Sequence, residues 1–535
     1  MWKRFMVIFA VMSIAFSYLY MKLYSIATNS EYKNTAISQG RYILVLNKTY
    51  GTIYDRNMIP LNNNSYKYIA AVNPTEEGIS HIQKYAVDTD CGYNEMIDGL
   101  PFLCDVSENC TDISDVKVFK VIDRIPDYQT ANHLIGYTMD NTGVSGLEYS
   151  FDYILRNECL VEKAVFEIDA NGNVLEGSDI KYERENKGEF AIITTIDKDI
   201  QFICESAGKN IEKGAIVVMT PDGEIRAMAS FPTFAVNNLE DSLDDENSPF
   251  INRALLSYNV GSIFKLVTAA AYIEQNGKSD FLYSCEGYTD IKGKIFRCHN
   301  RSGHGELNMS EAMKESCNTY FIELSKELDN DKYVKMAQKL GFGEKIYLAN
   351  GIGSYSGTIQ NEGDLEIAAE KANMSFGQGK LTATPLQIAK MTAIIANNGL
   401  SCEINLIKGV VENENKSYKT KNKPERVIDF ETSYQLRNFM EYSVNNDVSN
   451  AKPSNTTASG KTSTAQTGIF NENGDEILQA WFTGYFPSDN PEYIVTVFVE
   501  DGETGNASAA PIFKEIAEKI TILEKEQIAE RVYKK

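Results

Sequence analysis

Between Phe5 and Tyr20 the chain runs FMVIFAVMSIAFSYLY without a charged residue, behind Lys3 and Arg4. Letting Lys22 snorkel extends this run to about Ala27, close to the roughly 20 residues a bilayer requires. The basic flank comes first, so the pattern predicts one retained membrane-spanning helix over residues 1–28, with the rest of the chain outside the cytoplasm. Ser25-Ile26-Ala27 faintly resembles a signal-peptidase site, but the length of the run and Lys22 ahead of it favour an anchor. No second apolar run of this length occurs.

After the anchor the pattern shortens. RYILVLN (41–47), YKYIAAV (66–72) and VKVFKVI (116–122) read as strands separated by polar turns, which makes residues 29–188 a β-rich unit. The stretch from Cys91 to Cys110 is irregular and shows no recognisable chemistry. KYERENKGE (181–189) reads as a charged linker ahead of the strand FAIITTI (190–196). Beyond it the periodicity changes. DKDIQFICESAGKNIEK (197–213) is an amphipathic helix with Ile200, Ile203, Cys204 and Ala207 on one face. GAIVVMTP and EIRAMASF flank Asp222-Gly223 as a hairpin. SEAMKESCNTYFIELSKEL (310–328) and TPLQIAKMTAIIANNG (384–399) read as helices, the second stopped by Asn-Asn-Gly. QAWFTGYFP (479–487) and EYIVTVFVED (492–501) read as antiparallel strands before a helix from about Pro511. Strands at both ends with helices between predict an α+β domain over residues 189–535 whose sheet joins distant segments.

With 535 residues, 43% of them apolar, the chain is long enough for more than one folded unit. Its net charge of −22 argues against nucleic acid or an anionic membrane surface as the main partner. The nine cysteines are an odd number and form no dense framework. Cys285 and Cys298 suit a small hairpin closed by a disulfide, or buried thiols. His299 and His304 make a zinc site conceivable there. Adjacent Cys298 and His299 would then have to converge on one ion, so the expectation is no metal and no cofactor.

The chemistry gathers around NVGSIFKLVTAAAYIEQ (259–275). Ser262 and Lys265, three residues apart at a helix start, share a face. The helix dipole and the apolar neighbours Ile263, Phe264, Leu266 and Val267 disfavour an ammonium there, and a neutral amine would accept a proton from the serine. On its own the pair reads as readily as a surface lysine behind an N-cap serine. Downstream lie Ser316-Cys317-Asn318 and then Lys461-Thr462-Ser463-Thr464. The ordered set SxxK, SxN, KT[G/S] is the signature of the penicillin-recognising serine enzymes.

More widely, the chain resembles the class B penicillin-binding proteins, the membrane-anchored DD-transpeptidases of bacterial cell walls. TYGTIYDRNMIPL (49–61) is similar to the family's RGxIxDRNGxxL segment, and HLIGYTMDNTGVSGLEYSFDYIL (133–155) to its HxxGYxxxxGxxGLExxxDxxL segment. The resemblance implies a β-lactamase-like transpeptidase domain, an antiparallel sheet with helices, on an N-terminal pedestal of the dimerisation or interaction type. It implies that Ser262 is the nucleophile, Lys265 its general base, and Ser316 with Lys461 a proton shuttle. It further implies that Asn318, Thr462, Ser463 and Thr464 bind substrate, and that the backbone N–H groups of Ser262 and Thr464 form an oxyanion hole. Peptidoglycan stem peptides and β-lactams are the expected ligands, and a separate glycan polymerase within a wall-synthesis complex the expected partner. Three positions depart from the family: Val260 for proline, Met58 for glycine, and Ser463 for glycine, where a β-carbon is added beside the site. The rival readings are a β-lactam-hydrolysing or β-lactam-sensing protein and a weakly active scaffold. NEGDLEIAAEKAN (361–373) lacks the Glu-x-x-x-Asn arrangement of a class A hydrolase.

Overall fold

The computed structural model describes residues 2–533 except 31, 33, 34, 36–38, 89, 90, 92–98, 127, 446–448, 472 and 473, with side chains up to residue 530. Residues 92–98 of the irregular stretch from Cys91 to Cys110 therefore lie outside the described residues. The chain forms two compact units. One contains residues up to Tyr50, Asn63–Arg124 and Glu158–Gly188, and the other contains Gly51–Asn62, Ile125–Asn157 and Glu189–Lys535.

The first unit begins with helix α1 (Trp2–Thr28), whose 27 residues make it long and apolar enough to cross a membrane. Two three-stranded antiparallel sheets follow. In one, Arg41–Tyr50 and Lys181–Asn186 flank Glu158–Glu167; in the other, Phe102–Val106 and Val116–Asp123 flank Ser65–Val72. The charged run expected to be a linker is thus an edge strand at Lys181–Asn186. Its side chains are all exposed and several are ion-paired, as in Lys163–Glu185 at 2.7 Å. Charge on an edge strand blocks further pairing without preventing the strand from forming. Cys91 and Cys104 are joined by a disulfide.

The second unit is built on a five-stranded antiparallel sheet. Its strands are β1 (Gly214–Met219), β2 (Ile225–Phe231), β3 (Ser459–Phe470), β4 (Glu476–Phe486) and β5 (Tyr493–Glu500), in the order β2-β1-β5-β4-β3. Every residue of β1 is buried because both faces are covered. Ala215, Val217, Met219, Trp481 and Tyr485 enter the large core that also holds helices α3 (Lys265–Asn276), α4 (Asn318–Lys326) and α5 (Pro385–Ala396). Ile216, Val218, Phe482 and Phe486 face the opposite way, toward α2 (Lys198–Ala207) and the C-terminal helix α6 (Ala510–Tyr533). The period of two along each strand thus divides the side chains between two cores. Capping sets the helix starts: Asp197 accepts from the Ile200 N–H, and Thr384 and Gln387 form a reciprocal capping box ahead of Pro385.

Two segments read from the sequence as pedestal pack within this second unit. Asp55 is fully buried and accepts from the N–H groups of Asn57, Ile59 and Lys198, while Asn62 donates to Glu148 at 2.8 Å. Thr52–Tyr54 pairs in parallel with Phe190–Thr194. The polar residues of TYGTIYDRNMIPL are therefore structural: they satisfy one another where the chain enters the sheet-bearing unit.

One predicted element is broken. The helix expected over 310–328 is two helices, Met309–Lys314 and α4, separated at Ser316, which takes a left-handed φ of 50°.

Candidate active site

Ser262 lies in a single 3-10 turn, Gly261–Phe264, that leads directly into α3, so Lys265 opens the helix instead of sitting a turn inside it. Gly261 has a φ of 63°, and a β-carbon there would meet the Ser463 oxygen at 2.4 Å, so both backbone and space require glycine. The turn is held by the Gly261 N–H donating to the Gly377 carbonyl at 2.9 Å and by the Trp481 indole donating to the Asn259 carbonyl at 2.9 Å.

The Lys265 side chain is fully buried. Its Nζ lies 3.0 Å from Ser262 Oγ, 2.6 Å from the Ser316 carbonyl, 3.1 Å from Ser316 Oγ and 2.7 Å from Asn318 Oδ1. Burial, with the charge of Lys461 second, holds its pKa well below the ordinary lysine value. A neutral amine has two N–H donors and one lone pair. The Ser316 carbonyl and Asn318 Oδ1 can only accept, and they are also the two shortest contacts. They take both donors and leave the lone pair to a serine hydroxyl.

The break at Ser316 makes this possible. In a continuous helix, residues two apart do not face each other. With Ser316 left-handed and Cys317 extended, Ser316 and Asn318 turn to one side and Cys317 to the other. Lys461 reaches the group from β3, donating to Ser316 Oγ at 3.2 Å and to the Thr462 carbonyl at 3.1 Å. It too is buried, and burial lowers its pKa to about 8. Ser262, Lys265, Ser316 and Lys461 thus form an unbroken relay, hydroxyl to amine to hydroxyl to amine.

Along β3, Lys461, Ser463 and Ala465 are buried, whereas Thr462 and Thr464 are partly open. The Thr464 oxygen accepts from the Gly505 N–H at 3.1 Å. Among the described residues the strand lies at the edge of its sheet, paired with β4. Ser463 does not line the open side. Its hydroxyl donates to the Val260 carbonyl at 2.8 Å beneath the turn that carries Ser262. Alternation along β3 was the signal for this, since Ser463 must share a face with Lys461.

Cys285 and Cys298, expected as a disulfide or buried thiols, are free and buried. What the sequence reading missed is that Cys317, inside the SxN motif, lies beside them.

The arrangement places a serine hydroxyl against a desolvated amine, a pairing that can activate the hydroxyl for nucleophilic attack, on an α+β scaffold whose edge strand borders the serine. Residues 214–518, which include every residue of this site, match the penicillin binding protein transpeptidase domain. The chain belongs to that family. It is 32% identical over 413 residues to stage V sporulation protein D of Bacillus subtilis, covering 71% of this chain and 61% of that protein. To the peptidoglycan D,D-transpeptidase MrdA of Haemophilus influenzae it is 27% identical over 444 residues, covering 75% and 65%. The matched stretch thus spans less than two thirds of either relative. Among solved structures, penicillin-binding protein PBP2 of Helicobacter pylori superposes with a TM-score of 0.67 at 21% identity, covering 90% of this chain and 99% of that one. Penicillin binding protein 3 of Mycobacterium tuberculosis, complexed with aztreonam, does so with a TM-score of 0.64 at 21% identity, covering 90% and 97%.

Proposed function

We propose that the chain is a peptidoglycan D,D-transpeptidase that crosslinks stem peptides through an acyl-enzyme on Ser262 and is acylated there by β-lactams. The observation that carries this reading is the relay itself, with a buried, desolvated Lys265 3.0 Å from Ser262 and 3.1 Å from Ser316. The name of the Haemophilus influenzae relative and the aztreonam complex of the Mycobacterium tuberculosis neighbour support it.

Lys265 takes the Ser262 hydroxyl proton as Oγ attacks the penultimate D-Ala carbonyl. The N–H groups of Ser262 and Thr464 receive the developing oxyanion, each such donor contributing about 3–4 kcal/mol to the transition state. The C–N bond then breaks, and the proton passes from Lys265 through Ser316 to the leaving D-Ala amine. Asn318 gives its oxygen to Lys265, which leaves its NH₂ for a substrate carbonyl. The Thr462 and Thr464 hydroxyls hold the terminal carboxylate, with Lys461 supplying positive charge. An amine from a neighbouring stem peptide next attacks the acyl carbon, returns a proton to Ser262 through Lys265, and completes the crosslink. A β-lactam undergoes the same attack, but its amine stays tethered after ring opening and the second half is blocked. Ser463 acts by holding β3 to the nucleophile turn, not by touching substrate.

Helix α1 anchors the chain, and Lys3 and Arg4 ahead of it keep the catalytic unit on the extracytoplasmic side. The enzyme works beside a separate glycan polymerase in a wall-synthesis complex. The Helicobacter pylori PBP2 solved with MreC supports partnership of that kind. Labelling membranes with a fluorescent penicillin tests the central claim. Wild-type chain should keep the label through denaturing electrophoresis and Ser262→Ala should take none, whereas a labelled Ser262→Ala chain would overturn the assignment.

A further inference from the structure

Close to the loop that holds the nucleophile turn, two buried oxygens accept no hydrogen bond. One is Oε1 of Gln360, a side chain wholly shut from solvent, and the other is Oε2 of Glu370. The two side chains meet at Gly379. A β-carbon on that glycine would lie 3.1 Å from Gln360 Nε2, 3.3 Å from Asn373 Cβ and 3.6 Å from Glu370 Oε2. The glycine thus leaves a cradle bordered by Gln360, Glu370 and Asn373.

Local structure explains the gathering. Glu370 and Asn373 stand three apart on the helix Ala368–Ser375 and share a face. The Gln378 N–H donates to the Asn373 carbonyl at 2.9 Å and folds the following loop back toward the helix. Gln360 Nε2 donates to the Gln378 carbonyl at 3.4 Å, which fixes the end of the amide that carries the hydrogens. Gly379 has a φ of 83° and is exposed, so the cradle opens to water on that side.

Both orphaned atoms are acceptors, so their ligand must bring hydrogens or positive charge. A water molecule could donate to each of them, but it would leave the carboxylate without a counter-charge. The lysines nearest Glu370 in sequence are engaged elsewhere: Lys371 donates to the Leu328 carbonyl at 2.6 Å, and Lys380 pairs with Asp364 at 3.1 Å. A carboxylate oxygen held out of water calls for a cation. The donors are all oxygen, which selects a hard ion. Calcium accepts carboxylate, amide and water oxygens in irregular geometry at roughly 2.3–2.6 Å, whereas magnesium demands a near-ideal octahedron.

We propose that Gln360, Glu370 and Asn373 bind a calcium ion through their side-chain oxygens, with water completing the shell on the Gly379 side. The ion fastens the loop that carries Gly377, whose carbonyl accepts from the Gly261 N–H at 2.9 Å. It therefore stiffens the nucleophile turn through the backbone and takes no part in acyl transfer. One carboxylate and an open side make the site weak, with half-saturation at roughly 0.1–1 mM.

The test is thermal unfolding of the full chain in detergent, stripped with chelator, dialysed and titrated with calcium chloride. It needs no substrate, so it stands apart from the transpeptidase reading. The unfolding midpoint should rise with calcium and level off, with half the effect at roughly 0.1–1 mM. Glu370→Gln, which keeps the shape and removes the charge, should lose the rise, as should Gln360→Leu. Glu212→Gln, an exposed carboxylate elsewhere in the same unit, should keep it. Equilibrium dialysis with radioactive calcium should find one ion fewer on Glu370→Gln than on wild type. Should the variants fail to fold, wild type alone decides: calcium should raise the midpoint, and magnesium or sodium at equal ionic strength should not. No rise in wild type, an equal rise with magnesium or sodium, or a rise retained by Glu370→Gln would overturn the proposal.

Discussion

Two buried polar clusters lie back to back on the three residues Ser316, Cys317 and Asn318, and they differ in one respect. Around Lys265, two obligate acceptors consume both hydrogens of a neutral amine and leave a lone pair facing a partly exposed serine. Around Cys285, Cys298 and Cys317 the donors converge on sulfur and the three sulfurs are sealed from solvent. One cluster has a basic lone pair at its mouth and so can react. The other is closed in every direction and so can only hold. Reactivity here depends less on which residues are buried than on whether a lone pair still faces the outside.

Removing the amine is the most severe way to break this contrast. Lys265→Ala should lower the rate of penicillin acylation roughly a thousandfold to ten-thousandfold, the range for loss of a positioned base, as read by stopped-flow or label incorporation. Lys461→Ala, which leaves the base in place, should cost roughly a hundredfold in the same assay. A pH profile sharpens the comparison between the two lysines. With Lys265 as the proposed base its neutral form is the active one, so acylation should rise with pH through a region well below the ordinary lysine value. In the proposed mechanism Lys461 acts in its charged form, so the rate should fall again as pH passes about 8. A rate that instead climbs steadily beyond pH 10 would mean that burial has not shifted these groups. The smallest effect belongs to Ser463→Ala, which removes one buried hydrogen bond. Thermal unfolding should show a loss of about 1–2 kcal/mol, with acylation changed less than threefold.

Much of this was legible before any coordinates. The hairpin of β1 and β2 and the strands β4 and β5 follow from periodicity, and the order of the three motifs locates the relay. The break at Ser316 was not legible, because SEAMKESCNTYFIELSKEL is helical in pattern on both sides of it. The left-handed turn is imposed by bonds to Lys265, a residue 51 positions away. Nor was the grouping of Gly51–Asn62 and Ile125–Asn157 with the sheet-bearing unit, since Asn62 finds Glu148 at a separation of 86 residues. The grouping of Cys317 with Cys285 and Cys298 was hidden for a related reason: it sits inside the SxN motif, and only the alternation of an extended segment turns that side chain away from Lys265.

The hydrogen bond from Ser463 to the Val260 carbonyl has a mechanical consequence. It fastens the edge strand to the peptide immediately before the nucleophile turn. Any ligand that levers β3 outward to make room must either snap that latch or drag the serine along with the strand. With glycine at position 463 only the Asn259 side chain, which donates to the Gln466 carbonyl at 2.9 Å, would be left of these two side-chain ties between strand and turn; with serine the strand is fastened on both sides of Thr464, and the width of the groove and the aim of the nucleophile are coupled.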